Sequence, residues 1–416
     1  MPFLKSLRLD GLLSFPPDSE PIPLTPLNVL IGPNGSGKSN MIEGIELLHA
    51  TTTGFASAIR YGGGIREWLW KGDGASGTGG IEAHVDLDHT SSGRHTFPVP
   101  NAAGLVPGLR FYPTDIRYCL SFTASGQRLE ITDEVIENAE KTKQTDKDVL
   151  SYYRYRAGNP IINVSEAYGA KWRELVLERQ MLLPDESILS QRKDPVSYPE
   201  LTELGRQFER IWSFTEWTFG RSAEVRKPQL PNSDAGTLAS DSRNLGLMVN
   251  QLEYLGEQSR FYSYLSRFLP RLHRFSTRFE GGTVQFYLHE NGLKLPIPAT
   301  RLSDGTIRFI AMLVQLLSPE PPPLICMEEP ELGLHPDAIA LLANLLQEAS
   351  KRTQLIVTTH SDALVSALTE VADSVLVCEY RGGTVLKRVE SEKLRFWLDK
   401  YKLGEIWRIG EIGGNL

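Results

Sequence analysis

One stretch constrains this chain more than any other, a glycine-rich loop of the form GPNGSGKSN at residues 32–40. The apolar run Leu27–Ile31 precedes the loop, and apolar residues recur at helical spacing after it. Glycines let a backbone wrap closely around phosphate oxygens, and the loop amides together with the N-terminus of the next helix form an anion site. The order of strand, loop and helix therefore predicts a phosphate-binding loop. The simpler alternative is a glycine turn before a helix.

The residue types inside this loop indicate a nucleoside triphosphate bound with magnesium. Lys38 is placed to reach the β- and γ-phosphates as a point charge, and Ser39 to offer its hydroxyl to Mg²⁺. The residues that we expect to contact the phosphates are Asn34, Gly35, Ser36, Gly37, Lys38, Ser39 and Asn40.

Two carboxylates follow an apolar run in the C-terminal part of the chain. Residues 324–327 read LICM, which predicts a buried strand, and Glu328 and Glu329 come directly after it. Open α/β sheets bind their ligands at the carboxyl ends of strands. We expect Glu328 to support the magnesium shell and Glu329 to orient and polarise the attacking water. The alternative is an ordinary cluster of surface acids.

A histidine ends the next predicted strand, in the motif TTHS at residues 358–361. This position predicts that the imidazole of His360 faces the same crevice as Glu329, where a donor stabilises charge on the γ-phosphate. Lys38, Glu329 and His360 are therefore the expected catalytic residues. A role in capping the following helix is the alternative, and Ser361 is also a suitable cap.

The segment LSDGT at residues 302–306 precedes a predicted helix. Ser303 and Gly305 at a helix start make a second anion site, although the segment taken alone is simply a good helix cap.

These motifs occur in the order found in ABC-type ATPases: phosphate loop, LSDGT, ICMEEPE, ELGLHP and TTHS. In this form the chain resembles the RecF/SMC/OLD-like group of AAA-class ATPases. The resemblance implies ATP and Mg²⁺ as cofactors and a head-to-tail dimer. In that dimer ATP lies between the phosphate loop of one subunit and Ser303 and Gly305 of the other. Two positions depart from the common pattern, because Glu328 stands where many ABC proteins have aspartate and Asp304 replaces a signature glycine.

The rest of the pattern predicts an α/β fold with a mixed or parallel central sheet, an antiparallel β side sheet and a helical insertion. We expect an N-terminal ATPase lobe at residues 1–132, a mainly helical insertion at 133–278 and a C-terminal ATPase lobe at 279–416. Amphipathic segments at 166–183, 201–217 and 245–269 predict helices, and Asn291-Gly292 predicts a hairpin.

Charge limits the surface that could contact nucleic acid. The chain has 44 Lys plus Arg against 51 Asp plus Glu, so a DNA-binding surface must be a local patch. The candidate patch consists of Arg260, Arg267, Arg271, Arg274 and Arg278, together with His273. The alternative for these arginines is a solvated helix face over an aromatic core.

Four residues near the predicted side sheet could suggest a metal cluster: His84, Asp86, Asp88 and His89. A strand with a polar outer face explains them more simply. Cys119, Cys326 and Cys378 lie far apart and lack the spacing of metal ligands.

We expect a cytoplasmic protein without membrane contact, because no apolar run is long enough to cross a bilayer and the start is unlike a signal peptide. The segment after His360 is too short for the nuclease domain of OLD-like nucleases, so we expect a stand-alone ATPase.

The predicted function is ATP binding and hydrolysis that close a homodimer or higher homo-oligomer. This closure would be coupled to double-stranded DNA or to a separately encoded effector such as a nuclease, in DNA repair or anti-phage defence. One alternative is an ATP-locked oligomeric scaffold that displays the insertion to a protein partner, although such a scaffold needs neither Glu329 nor His360. Another is ABC transport, which would need membrane-spanning partners.

Overall fold

The fold is taken from a computed structural model of the chain. It describes residues 1–87, 97–101, 104–108, 115–126, 128–139, 151–166, 171–215, 219–231, 238–239, 241–256 and 258–414.

Among these residues, a run of consecutive strands between residues 78 and 176 precedes a C-terminal part in which strands and helices are mixed. The strands are β1 Leu4–Asp10, β2 Ile22–Pro23, β3 Leu27–Ile31, β4 Thr78–Asp86, β5 Phe97–Asn101, β6 Gly104–Gly108, β7 Asp115–Ser125, β8 Arg128–Asn138, β9 Ser151–Arg156, β10 Asn159–Glu166, β11 Lys171–Val176, β12 Trp212–Phe214, β13 Leu272–Glu280, β14 Thr283–Glu290, β15 Ile297–Pro298, β16 Leu324–Glu328, β17 Gln354–Thr358, β18 Val375–Tyr380 and β19 Thr384–Arg388. The helices are α1 Lys38–Thr53, α2 Phe55–Tyr61, α3 Ile65–Trp68, α4 Ile188–Gln191, α5 Pro199–Glu209, α6 Leu245–Tyr254, α7 Gln258–Phe268, α8 Asp304–Leu316, α9 Ile339–Ala349, α10 Asp362–Ala367, α11 Ser391–Leu398 and α12 Leu403–Arg408.

The central sheet has the strand order β12-β16-β17-β3-β18-β19. Its neighbours pair in parallel except β18 and β19, which are antiparallel. All five residues of β3 are buried, as expected for a strand covered on both faces. The predicted mixed sheet is confirmed, and it brings the carboxyl ends of β3, β16 and β17 to one edge.

The side sheet is antiparallel throughout, with the strand order β11-β10-β9-β8-β7-β4-β1-β2. Along β7, buried Tyr118, Leu120 and Phe122 alternate with more exposed polar residues, which gives the sheet one core face. The predicted antiparallel side sheet is confirmed, and it extends through residue 176 instead of ending near residue 132.

The expected helical content of residues 133–278 therefore begins later than predicted. Of the range 166–183, the described residues 171–183 do not form the predicted helix, because they contain the strand β11 and a short 3₁₀ turn. In β9, buried Tyr153 and Tyr155 alternate with exposed Arg154 and Arg156, and this period of two is typical of a strand. The predicted helix at 201–217 is present only as α5, which ends at Glu209, because residues 212–214 form the strand β12. The predicted helix at 245–269 corresponds to α6 and α7. The boundaries at 133 and 279 stay predictions.

A second difference lies between α5 and α6, where β12 adds an edge strand to the central sheet beside β16. The predicted hairpin at Asn291-Gly292 is confirmed, because β14 pairs with the short strand β15. The strand β13 was not predicted, and it pairs with β14 across a turn at Gly281 and Gly282.

The hydrophobic core lies on both faces of the central sheet. Leu30 packs with α1 and the side sheet, whereas Val29 and Ile31 pack with α8 and α9. This alternation along β3 places the phosphate loop at the junction of the two core regions. Within the described part of the chain, every helix is too short or too polar to cross a bilayer.

A buried carboxylate joins the side sheet to α4. Glu134 is 2% exposed, accepts hydrogen bonds from the Tyr118 hydroxyl (3.0 Å) and the Ile188 amide (3.0 Å), and contacts the Ser187 hydroxyl. Burial raises the pKa of Glu134 to about 7, against the opposing hydrogen bonds. The folded protein therefore holds a proton here between about pH 4.5 and 7 that the unfolded chain releases.

We expect the folded protein to become less stable as pH rises and Glu134 loses this proton. A carboxyl group whose pKa is higher in the folded state than in the unfolded state stabilises the fold fully at a pH below the unfolded pKa. This contribution to the free energy of unfolding, up to about 3 kcal/mol here, is lost as pH rises through the folded pKa. Glu134→Gln should flatten this dependence between pH 4.5 and 8, measured by urea unfolding. Glu130→Gln on the same strand is the control. Equal pH dependence in wild type and Glu134→Gln would contradict the assignment.

Candidate functional site

The GPNGSGKSN loop connects β3 to α1, as predicted. Gly35 and Gly37 have φ angles of 77° and 101°, which side-chain-bearing residues rarely adopt. A Cβ atom at Gly37 would lie 2.0 Å from the Thr384 hydroxyl oxygen, whereas one at Gly35 would have no neighbour within 4 Å in the part of the chain that the structure describes. The loop is thus tightly held on one side and open on the other.

Lys38 lies inside this loop and is 6% exposed. Its Nζ donates to the carbonyl oxygens of Gly32 and Pro33, both at 2.9 Å. Burial lowers the pKa of Lys38, and the charges of Glu329 and Glu328 oppose that shift. The Ser36 hydroxyl is also buried and has no hydrogen-bond partner among the described residues. A buried cation and an unsatisfied hydroxyl in an open glycine loop fit the phosphate groups of a nucleotide.

A threonine far away in the sequence braces the loop from β19. The Thr384 hydroxyl donates to the Ser36 carbonyl oxygen (2.8 Å) and lies 2.7 Å from the Ser14 hydroxyl. Sequence reasoning missed Thr384, because no local pattern indicates a contact between residues this far apart.

The acidic residues lie at the end of β16, at the same edge of the sheet. Glu329 has a φ of 42°, which is uncommon for a residue with a side chain and marks local strain. Its amide donates to the Thr358 carbonyl oxygen at 3.0 Å. This hydrogen bond fixes the turn to the end of β17, and the Glu329 side chain remains 33% exposed.

The structure brings His360 beside Glu329, with 3.7 Å between His360 Nε2 and Glu329 Oε1. Burial and the Lys38 charge lower the pKa of His360, and Glu329 opposes this shift. Ser361 caps α10, since its hydroxyl accepts from the Leu364 amide at 3.2 Å. The capping role thus falls to Ser361, and the His360 ring is available to the crevice.

Glu331 supports this histidine and was also missed from the sequence. It is 9% exposed, and its Oε1 accepts from the Thr359 hydroxyl and from the His360 amide at 3.3 Å. Burial raises the pKa of Glu331. The carboxyl group therefore ties the His360 segment to the turn that carries Glu329.

The residues predicted to hold magnesium are Ser39 and Glu328. Ser39 is exposed at the start of α1, and Glu328 is half-buried at the end of β16. Glu43 lies one helical turn after Ser39, and burial together with the charge of Glu328 raises its pKa. Among the described residues no group of three or more His, Cys, Asp and Glu could hold a metal. This arrangement fits Mg²⁺, which is usually held by one or two protein ligands together with phosphates and water.

The LSDGT segment begins α8 and packs against the turn that follows the acidic strand. The Ser303 hydroxyl accepts from the Thr306 amide at 3.1 Å, so the predicted cap is present. A Cβ atom at Gly305 would lie 2.5 Å from the Gly333 carbonyl oxygen, and Arg308 donates to the Leu332 carbonyl oxygen. Glycine is therefore required at residue 305 within the subunit. Ser303 is exposed.

The predicted arginine patch is divided by the fold. Arg260 pairs with Glu348, and Arg271 pairs with Glu290 at 3.0 Å. Arg274 and Arg278 are exposed on the strand β13, so the alternative of a solvated helix face does not apply to these two.

The possible metal cluster on β4 has an ordinary explanation for the residues that the structure describes. His84 lies 3.2 Å from Glu82, and Asp86 pairs with Lys5 at 3.4 Å. Asp88 and His89 lie outside the described residues.

One curated relative matches part of the chain. Over 127 residues the chain is 32% identical to the Old nuclease of Escherichia phage P2, a stretch that covers 28% of this chain and 22% of that protein. The chain therefore spans less than a quarter of that relative's length.

Solved Smc head structures have a similar fold. A crystal structure of the Smc head bound to the C-winged helix domain of ScpA matches with a TM-score of 0.58 and 14% identity, over 95% of this chain and 100% of that chain. The Smc head domain with an extended coiled coil, bound to the C-terminal domain of ScpA derived from Pyrococcus furiosus, gives 0.55 and 13% identity over 96% and 99%. These values show a shared fold.

A protein-family model matches residues 27–366, well over half of the chain. Its description is "AAA domain, putative AbiEii toxin, Type IV TA system". The matched range contains the phosphate loop, the LSDGT segment, the acidic strand and His360. The chain therefore belongs to this AAA family, and its fold is that of the SMC-like, ABC-type ATPases.

Proposed function

We propose that the chain binds ATP at the loop of residues 32–40 and hydrolyses it in the cytoplasm. The observation that carries the proposal is the meeting of Glu329 and His360, 3.7 Å apart, at the sheet edge where Lys38 also lies. A protein that merely bound a nucleotide would need Lys38 but neither of the other two side chains. Steady-state ATP hydrolysis by the purified chain tests the proposal.

Each of the three side chains has a chemical task in this proposal. Lys38 offsets charge on the β- and γ-phosphates, Glu329 orients and polarises the attacking water, and His360 donates to the γ-phosphate. The lowered pKa of His360 favours the neutral ring, which can still donate one hydrogen bond. Magnesium at Ser39 and Glu328 would neutralise phosphate charge.

The second part of the proposal is closure of a head-to-tail homodimer. Ser303 is exposed at the start of α8, where a helix N-terminus favours an anion. In the dimer, ATP on one subunit would contact Ser303 and Gly305 of the other. Light scattering with and without ATP measures this association.

The third part is coupling of closure to double-stranded DNA, or to a separately encoded effector such as a nuclease, in DNA repair or anti-phage defence. Partial similarity to the phage Old nuclease supports this part. A basic face on β13 and β14 supports DNA as the ligand.

This basic face is defined by Arg274, Arg278, Tyr287 and His289. Arg274 pairs in register with His289, and the Arg278 guanidinium lies 4.8 Å from the centre of the Tyr287 ring. Burial, followed by the charges of Arg274 and Arg278, lowers the pKa of His289. The positive charge of this face is therefore that of the two exposed arginines, on a chain with a net charge of -7.

We expect Arg274→Ala/Arg278→Ala to weaken binding to duplex DNA and to reduce its salt dependence. Each lost phosphate contact lowers the slope of log K against log salt by about 0.9, so the double variant should lose about 2. Arg60→Ala/Arg66→Ala removes the same charge elsewhere and is the control. An unchanged slope in the β13 variant, or equal loss in the control, would exclude this face.

A further inference from the structure

A buried arginine lies beneath the LSDGT segment. Arg226 is 4% exposed and belongs to a short 3₁₀ turn, Glu224–Arg226. It precedes Asp304 by 78 residues, so no local sequence pattern joins them. A buried guanidinium is costly unless each donor finds an acceptor.

Every nitrogen of this guanidinium has an acceptor. The Nε donates to the Phe219 carbonyl oxygen at 2.9 Å. The Nη1 donates to the carbonyl oxygens of Ala299 (2.9 Å) and Leu302 (2.7 Å), and the Nη2 pairs with Asp304 Oδ1. Arg226 thus contacts the main chain of Leu302, directly before Ser303, and the side chain of Asp304, directly after it.

The pairing with Arg226 gives a physical reason for the aspartate at residue 304. Asp304 is in the first turn of α8, where the helix dipole favours a negative charge, and its side chain is 64% exposed. In the proposed dimer the same surface receives the γ-phosphate of the partner's ATP. An unpaired carboxylate there would repel that phosphate, and Arg226 supplies the opposing charge from beneath.

We propose that Arg226 is a positioning residue for dimer closure. It fixes the turn that presents Ser303, and it neutralises Asp304 so that the start of α8 can accept a phosphate. This inference rests on the proposed ATP-dependent dimer.

The test compares Arg226→Gln with Arg226→Gln/Asp304→Asn, using light scattering to find the ATP concentration that gives half-maximal dimer. Arg226→Gln should need at least about tenfold more ATP than wild type, because one carboxylate facing a phosphate is left unpaired. ATP binding to the monomer should remain, since the phosphate loop is intact. Adding Asp304→Asn should recover a large part of the loss.

Recovery of dimer formation in the double variant distinguishes neutralisation of Asp304 from a purely structural role of Arg226. If Arg226 merely held the turn together, the double variant would be as impaired as Arg226→Gln, and that outcome would overturn the proposal. Wild-type-like dimer formation by Arg226→Gln would also overturn it. Failure of wild type to dimerise with ATP would instead reject the proposed function.

Asp304→Asn alone keeps the test decisive if Arg226→Gln does not fold. This variant retains a hydrogen-bond acceptor and all the main-chain contacts of Arg226 but removes the negative charge. It should dimerise at the same ATP concentration as wild type or at a lower one, and Asp399→Asn is the control. A tenfold higher requirement would show that closure needs the carboxylate charge, against the proposal.

Discussion

Glu329→Gln is expected to keep ATP binding and to lose at least about a hundredfold in turnover, the lower range for a general base. The glutamine side chain has nearly the same shape, so the turn fixed by the Glu329 amide to Thr358 should survive. The amide group cannot polarise the attacking water as a carboxylate does. The His360 ring also loses the negative charge that lies 3.7 Å away.

The measurement is phosphate release at saturating ATP, together with binding of a fluorescent ATP analogue. Lys38→Ala serves as a contrasting variant, because removing the buried ammonium should weaken binding itself. Glu392→Gln makes the same chemical change at an exposed position on α11 and should behave as wild type. A Glu329→Gln protein that stays dimeric in ATP would show that hydrolysis opens the dimer.

Equal turnover in wild type and Glu329→Gln would exclude water activation by this residue. A wild-type protein that binds ATP, dimerises and shows no turnover with or without duplex DNA would favour the ATP-locked scaffold. If turnover depends on Glu329 and increases with DNA, the ligand is DNA. If turnover depends on Glu329 but ignores DNA, the trigger is a protein partner.

The parts of the site that the sequence predicted are those encoded by neighbouring residues. Lys38 follows a buried strand and glycines whose positive φ angles shape the loop, and Glu329 follows an apolar strand. Parallel pairing of β3, β16 and β17 then brings those strand ends together without further information. The local order of residues was therefore enough to predict where these two side chains lie and that they lie close together.

The parts that the sequence did not reveal depend on contacts between distant residues. Thr384 braces Ser36 from β19, and Arg226 reaches Asp304 from another segment. The strands β8 to β11 were missed for a different reason. On β9, exposed Arg154 and Arg156 alternate with buried tyrosines, and such a charged segment resembles an exposed helix when the period of two is overlooked.

Ser303→Arg is expected to abolish ATP-dependent dimer formation while leaving ATP bound to the monomer. Ser303 is exposed at the start of α8, so an arginine side chain there would occupy the space that the partner's nucleotide needs. The change also removes the cap on the Thr306 amide, which costs about 1 kcal/mol of stability.

The loss of the cap can be separated from the block to closure with Ser303→Asp. Aspartate caps a helix as well as serine does, so folding should be preserved, but its charge would repel the phosphate. Both variants should therefore fail to dimerise in ATP although their unfolding free energies differ. Ser266→Arg, the same change at an exposed position on α7, should dimerise normally. Dimer formation by both Ser303 variants at the wild-type ATP concentration would place the subunit interface elsewhere, and Arg226 and Asp304 would then have no part in it.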